Sequence, residues 1–376
     1  MAVSLRIVHC FRSPVGGIFR HVRDLTEAQV AAGHSVGIVC DSTTGGDYEE
    51  RLFETMKDNL ALGIHRTPMQ RHVGPGDLAS AWRTYRIIQE LRPDVLHGHG
   101  AKGGAYARLF GSLLRVSRFR VARLYSPHGG SLHYDETTAT GKLFFGLERS
   151  MARFTDCLLF VSDYERKTYR RKVGEPPIPN RLVYNGLRAA EFEPVAAAAD
   201  AADLLYIGMM RDLKGPDIFI DALALAGNAL GRPLSAVMVG DGDDLPRYHA
   251  QVERLGLKSH VRFLPPMPAR QAFALAGLIV VPSRAEAMPY IVLEALAAGM
   301  PMIATAVGGI PEIFGDDSPA LIRPDPTELA GKVGTAFGDF GAYRQLMPQM
   351  HELKARFGAD VMAADIEKAY FAALGK

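Results

Sequence analysis

The stretch "PSRAEAMPYIVLEALAAGMPMIATAVGGIPEIF", residues 282–314, sets Glu286 and Glu294 either side of seven residues that include a proline, then adds a Gly-Gly turn and Glu312. "GLIVVPS" reads as a strand ending at Ser283, and "RAEAMPY" as the loop at its carboxyl end. Pro289 suits a helix start, so the pattern predicts a helix from about residue 290 to Ala298, stopped by Gly299. Glu286 then lies in the loop and Glu294 in the early turns. The free amides of a helix start form an anion site. A carboxylate beside them cannot hold the anion, but it accepts hydrogen bonds from sugar hydroxyls. The pattern therefore suits a phosphate between two sugars, the shape of a nucleotide sugar. The plain alternative has Glu294 capping or pairing on its own helix and Glu286 solvated. A second segment, "IGMMRDLKGPD" (207–217), puts Arg211 and Lys214 in the loop after an earlier strand. Two cations there can hold a diphosphate leaving group by charge-assisted hydrogen bonds, with no metal needed. A lone Arg and Lys in a loop are usually only solvated; here they share a domain with the glutamate pair.

Those residues need elements to position them. "LRIVHC", "SVGIVC", "DVLHGHG", "VARLYSPHGG" and "CLLFVS" are short apolar runs, separated by helical patterns such as 17–32, 77–91 and 142–154. Such alternation implies parallel strands with crossover helices, a doubly wound α/β sheet. Periodicity lapses at "EFEPVAAAADAAD" (191–203) and restarts with "LLYIGMM", "LSAVMVGDG", "HVRFLPP", "GLIVVPS" and "MPMIATAVGG". The tail reads as two helices, "AYRQLMPQMHELKARF" and "ADVMAADIEKAYFAALGK". The expected organisation is an N-terminal Rossmann-like domain over 1–190 and a second over 191–355. A C-terminal helix, 356–376, packs back on the first. Two such domains facing each other would place their strand ends around one central cleft.

At 376 residues, 48% hydrophobic and 22% charged, the chain is globular and long enough for two domains. A net charge of +2 excludes a bulk polyelectrolyte such as nucleic acid as the organising partner. Cys10, Cys40 and Cys157 lie far apart, which fits reduced core thiols in a cytoplasmic protein. The N-terminus enters a strand directly, with no signal peptide expected, and no stretch reaches membrane-spanning length. Trp82 is expected in the core.

At this point the chain resembles the family-4 glycosyltransferases, retaining enzymes of the two-Rossmann GT-B architecture. Glu286 and Glu294 match the family's two glutamates. "EALAAGMPMIATAVGGIPEIF" and "KGPDIFIDAL" match the runs around them. In the first domain "SPVGGIFRHVRDL" matches the glycine loop, "DVLHGHG" a His-bearing strand, "YSPHGG" the strand ending in the donor-side histidine, and "YNGL" the lead into the linker. The order of these matches covers nearly the whole chain. The resemblance implies that Glu294 holds the ribose hydroxyls and Glu286 hydroxyls of the transferred sugar. It implies that Arg211 and Lys214 neutralise the departing nucleoside diphosphate. Gly16 and Gly17 would let backbone approach phosphate, and His128 would bond the sugar or stabilise charge near the anomeric carbon. Two departures stand out. Met209 follows Gly208 where the family commonly has arginine, and "AMPY" replaces glycines after the first glutamate, so Met288, Pro289 and Tyr290 supply the donor-facing loop. No metal and no cofactor are expected; the nucleotide sugar is a co-substrate.

Paired carboxylates also belong to glycosidases, but a diphosphate whose charge is held leaves without a strong general acid. Other readings are a GT-B sugar-nucleotide epimerase or phosphorylase, and a non-catalytic nucleotide-sugar sensor, which has no need of all of Glu286, Glu294, Arg211, Lys214 and His128. His97 and His99 have His-x-His spacing, yet no Cys, His or acid cluster nearby completes a metal site, and a polar strand end facing the cleft is the expected reading. "VGDGDDL" (239–245) lacks the spacing of a dinucleotide fingerprint. Finally, Arg108, Arg115, Arg118, Arg120 and Arg123 lie among apolar residues in 106–123, and "RKTYRRK" follows at 166–172. These either rest on an anionic inner leaflet, admitting a saccharide or lipid-linked saccharide acceptor, or decorate an ordinary crossover helix. The setting expected from the resemblance is cell-envelope or exopolysaccharide synthesis, in the cytoplasm or peripheral to the inner face of the plasma membrane.

Overall fold

The computed structural model of the protein describes residues 3–70, 75–116 and 120–375. The chain divides into two compact units, Met1–Gly186 with Ala359–Lys376, and Leu187–Gly358.

The first unit holds seven strands: β1 (Arg6–Phe11), β2 (Ser35–Asp41), β3 (Ile64–Thr67), β4 (Val95–His99), β5 (Ala122–Ser126), β6 (Cys157–Phe160) and β7 (Asn180–Leu182). They pair in the order β3-β2-β1-β4-β5-β6-β7, every pairing parallel. The inner strands are buried on both faces, which is why they read as continuous apolar runs and not as alternation. Parallel pairing sets His9 opposite His97 and Phe11 opposite His99. The last helix, Ala359–Leu374, belongs to this unit: Met362, Ile366, Ala369, Tyr370 and Leu374 pack against Leu5, Ile7, Leu25, Val95 and Leu124.

The second unit holds β8 (Ala202–Ile207), β9 (Ala236–Val239), β10 (Val261–Leu264), β11 (Ala276–Val281), β12 (Met302–Thr305) and β13 (Leu321–Ile322). Their order is β10-β9-β8-β11-β12-β13, again all parallel. Its core gathers Leu204, Tyr206, Phe219, Met238, Leu278 and Ile303 with the helix Pro326–Gly338.

Several expectations need correction. Three strands escaped the apolar-run reading: β3, β7 and β13 all lie at sheet edges, where one flank is uncovered and the residues are only partly buried. The first tail helix is two, Phe340–Arg344 and Met350–Phe357. Pro348 lies between them, lacking the amide and colliding with the carbonyl one turn back. Trp82 is 61% exposed, beside Tyr85, and is no core residue.

The arginine-rich segment is chiefly the crossover helix Gly100–Val116. Arg108 is fully buried and donates to Glu148 at 2.8 Å, lying over the Tyr125 ring. Arg115 and Arg123 both reach Asp156. Arg118 falls outside the described residues. In the second basic run, Arg166 and Lys167 pair with Asp163, Arg170 with Glu175, and Lys172 donates to the carbonyls of Leu132 and Tyr134. Most of the expected basic surface is therefore engaged within the protein. The cysteines are buried free thiols, and burial pushes Cys157 up to about 11. Among the described residues no helix is long and apolar enough to cross a membrane.

Candidate functional site

In an open parallel sheet, ligands bind outside the carboxyl ends of the strands where the chain order reverses. In the second unit that point lies between β8 and β11. The loop after β8 carries Arg211 and Lys214; the loop after β11 carries Ser283, Glu286 and Pro289. The two loops are bonded to each other. Lys214 Nζ donates to Glu286 Oε1 at 2.6 Å, and Ser283 Oγ donates to the same oxygen at 2.7 Å. The Arg284 amide donates to the Leu213 carbonyl, and the Arg284 guanidinium forks onto Asp217 at 2.8 and 2.6 Å. Burial works against ionising Asp217, yet the fork from Arg284 holds its carboxyl below the usual range. Two glycines allow this closeness. Gly215 has φ 69°, and a Cβ there would stand 2.2 Å from the Pro282 carbonyl oxygen; at Gly308, φ 62°, it would stand 1.7 Å from that of Glu286. The Gly-Gly turn thus seats the main chain behind Glu286.

The helix Tyr290–Ala297 follows, with Pro289 at its N-cap and Gly299 beyond its end at φ 74°. Glu294 is its fifth residue and is half-buried; Met288, Pro289 and Tyr290 are buried in the loop and first turn. Arg211 is exposed, just ahead of the short turn Asp212–Lys214. The sequence treated Lys214 and Glu286 as separate contacts for separate parts of a ligand; the structure joins them directly.

The first unit reverses between β1 and β4. Gly16 and Gly17 open the helix Gly16–Ala31 after β1 and are exposed. His99 ends β4, and His128 follows β5 with φ 50°. A non-glycine residue in that region costs about 1–3 kcal/mol and is held there only by its surroundings. Glu165 supplies part of the hold, accepting from the Gly129 and Val161 amides. The reading of His97 and His99 as lacking neighbours is overturned. His9 comes from β1, His21 from the first helix and His128 from the loop after β5, and strand register gathers them. Two groups, His9/His97/His99 and His21/His99/His128, have ring nitrogens within 4.8 Å of one another. As a donor set, three neutral imidazoles fit a transition-metal ion. In the structure many of the ring nitrogens bond among themselves or with neighbours. His9 Nδ1 lies 3.0 Å from His99 Nε2, and His99 Nδ1 lies 3.1 Å from His128 Nε2. His97 reaches Tyr370 Oη at 2.8 Å and Ser126 Oγ at 2.9 Å, and His21 Nδ1 donates to Asn185 Oδ1 at 3.0 Å. Burial lowers His9 and His21 to about 4 and holds His97, His99 and His128 well below the ordinary value.

His9, His21, Ser283 and Arg284 were absent from the residues singled out by sequence. His9 and His97 each occupy the fourth position of a short apolar run, "RIVH" and "DVLH". A polar ring recurring there in neighbouring strands was the available signal.

Residues 15–191 match the model of Glycosyltransferase Family 4, and residues 201–339 that of Glycosyl transferases group 1. The chain is 30% identical to a D-inositol 3-phosphate glycosyltransferase of Jonesia denitrificans, over 94% of this chain and 91% of that protein. It is 26% identical to one of Streptomyces bingchenggensis, covering 90% and 76%. In structure it is similar to Anabaena Alr3699/HepE in complex with UDP-glucose, with TM-score 0.80 at 18% identity, covering 97% of this chain and 99% of that one. It is also similar to WaaG, a glycosyltransferase involved in lipopolysaccharide biosynthesis, with TM-score 0.71 at 18% identity, covering 98% and 100%. Two parallel sheets reversing at β1/β4 and β8/β11, with these matches along both, make the chain a member of glycosyltransferase family 4 with the GT-B fold.

Proposed function

We propose that the protein transfers a sugar, with retention, from a UDP- or GDP-sugar to a saccharide or lipid-linked saccharide. The observation that carries this reading is the Lys214–Glu286–Ser283 cluster bridging the two loops at the second unit's strand reversal. Lys214 and Arg211 take the charge of the departing diphosphate, the work that preorganised cations do without reorganising in the transition state. Glu286, its carboxylate fixed by Lys214 and Ser283, accepts from hydroxyls of the transferred sugar. Glu294 accepts from the ribose, while Met288, Pro289 and Tyr290 form the wall of the donor loop. In the first unit, the backbone at Gly16 and Gly17 faces phosphate and His128 faces the sugar. Solved complexes of Alr3699/HepE with UDP and with UDP-glucose support a nucleotide-sugar donor. A thermal-shift screen of UDP-, GDP- and ADP-sugars tests the donor; no stabilisation by any of them sinks the reading. Activity survives EDTA, because the leaving charge is met by protein cations.

A second reading concerns the acceptor. Relatives named D-inositol 3-phosphate glycosyltransferase, one of them 30% identical over nearly the whole chain, favour a phosphorylated cyclitol over a growing envelope glycan. Product analysis with inositol phosphate and with a lipid-linked saccharide separates the two. A peripheral cytoplasmic site on the inner leaflet is supported by Leu109, Leu113 and Val116, which are 43%, 49% and 83% exposed on one helix. Equal flotation with and without anionic liposomes removes that part.

A further inference from the structure

The histidine row of the first unit has a direction. Gln29 is buried, and its amide nitrogen donates to Tyr370 Oη at 3.2 Å. Its carbonyl oxygen lies 2.8 Å from His9 Nε2. A carbonyl only accepts, so His9 carries its proton on Nε2, and the neutral ring is left with a lone pair on Nδ1. The 3.0 Å contact between that Nδ1 and His99 Nε2 therefore takes its proton from His99. His99 Nδ1 becomes the next lone pair, and the 3.1 Å contact to it takes its proton from His128 Nε2. Burial keeps each of these rings in the neutral form, with one proton to place.

We propose that Gln29, His9 and His99 are positioning residues that fix His128 as its Nε2–H tautomer, leaving Nδ1 as a lone-pair acceptor for a hydroxyl of the transferred sugar. The last clause rests on the reading of His128 given under the proposed function; the tautomer does not. The polarity of the row is decided at its far end. Turning the Gln29 amide over would reverse every proton along it, and His128 would then present an N–H, suited to a carboxylate or phosphate oxygen. In the structure the amide nitrogen faces Tyr370 Oη, on the last helix, and the carbonyl faces His9. A hydrogen bond to one nitrogen of a histidine selecting the chemistry of the other is a general device. Here it runs through three rings.

The test is two-bond 1H–15N spectroscopy of ligand-free protein with 15N-labelled histidine, His128 being assigned by its loss in His128→Phe. The expected result is a protonated Nε2 and an unprotonated Nδ1 on His128 at neutral pH. A proton on Nδ1, a doubly protonated ring, or stoichiometric metal bound by these histidines overturns the proposal. Gln29→Leu is expected to mix the tautomers and to lower kcat/KM for the donor about fivefold, the worth of one neutral hydrogen bond, with nucleoside diphosphate affinity unchanged. Gln29→Glu, which keeps an acceptor beside His9, is expected to restore the single tautomer and most of the lost rate. A single Nε2–H tautomer persisting in Gln29→Leu also overturns the proposal. If Gln29→Leu does not fold, the wild-type spectrum decides alone. Should the tautomer be as expected while His128→Phe keeps wild-type turnover, the row stands and the sugar-facing role of His128 falls.

Discussion

The two units use the same doubly wound parallel sheet and the same kind of strand reversal, and furnish it with opposite electrostatics. At the first reversal, the neutral rings of His9, His99 and His128, from three elements, bond one another in a row. At the second, an ammonium and a carboxylate are held 2.6 Å apart, with a forked arginine–aspartate pair below them. The difference follows from sequence at few positions: histidine on buried strands, a helix and a strand-end loop in one unit, Lys, Ser and Glu in loops in the other. The fold supplies the place, and the loop and strand-end residues choose between neutral and charged chemistry.

The strongest way to break this contrast is to remove charge from the second reversal. Lys214→Ala is expected to lower turnover by about 10²–10³, the cost typical of deleting one preorganised stabiliser, with less effect on nucleoside binding. Single-turnover rates equal to wild type contradict it.

Next in size is acid. His9 and His21 have folded values near 4 against an ordinary 6.5, so the unfolded chain binds more protons between those limits. Their contribution is fully present above pH 6.5 and is lost as pH falls from 6.5 toward 4, at up to about 1.4 kcal/mol per pH unit for each ring. Asp217 titrates below its ordinary 3.8, so the second unit keeps its contribution through that window. Hydrogen exchange at pH 7 and pH 5 should therefore show first-unit amides losing protection and second-unit amides keeping it. Equal losses would erase the contrast.

Smaller effects sharpen it. Glu294→Ala is expected to weaken donor binding about tenfold, roughly 1.4 kcal/mol, in calorimetry with the donor identified by thermal shift. Arg284→Lys keeps the charge but not the fork onto Asp217 and should lower second-unit stability by about 1 kcal/mol in urea titration.

How much of this was readable beforehand differs between the units for a physical reason. The charged loops of the second unit are local: Arg211 and Lys214 sit three apart, Glu286 and Glu294 eight apart, and a proline and glycines mark the helix ends. Short-range spacing carried those. The contact between Lys214 and Glu286 was not visible, because it depends on which strands are neighbours, β8 beside β11. The histidine row was hidden for the same reason more strongly. His9, His99 and His128 are far apart in sequence, and only the pairing of β1 with β4 and of β4 with β5 brings them together. Inner strands announced themselves by continuous apolar runs, while β3, β7 and β13 did not, since an edge needs less apolar surface.

Tyr370 lies on the helix Ala359–Leu374, which covers Leu5, Ile7 and Val95. During synthesis the ribosome must make the entire second unit before that helix emerges. Until then the earlier half keeps an uncovered greasy face, and Gln29 lacks the hydroxyl that steadies it. Removing the tail helix is therefore expected to leave that face uncovered and to raise aggregation of the truncated chain, read by light scattering.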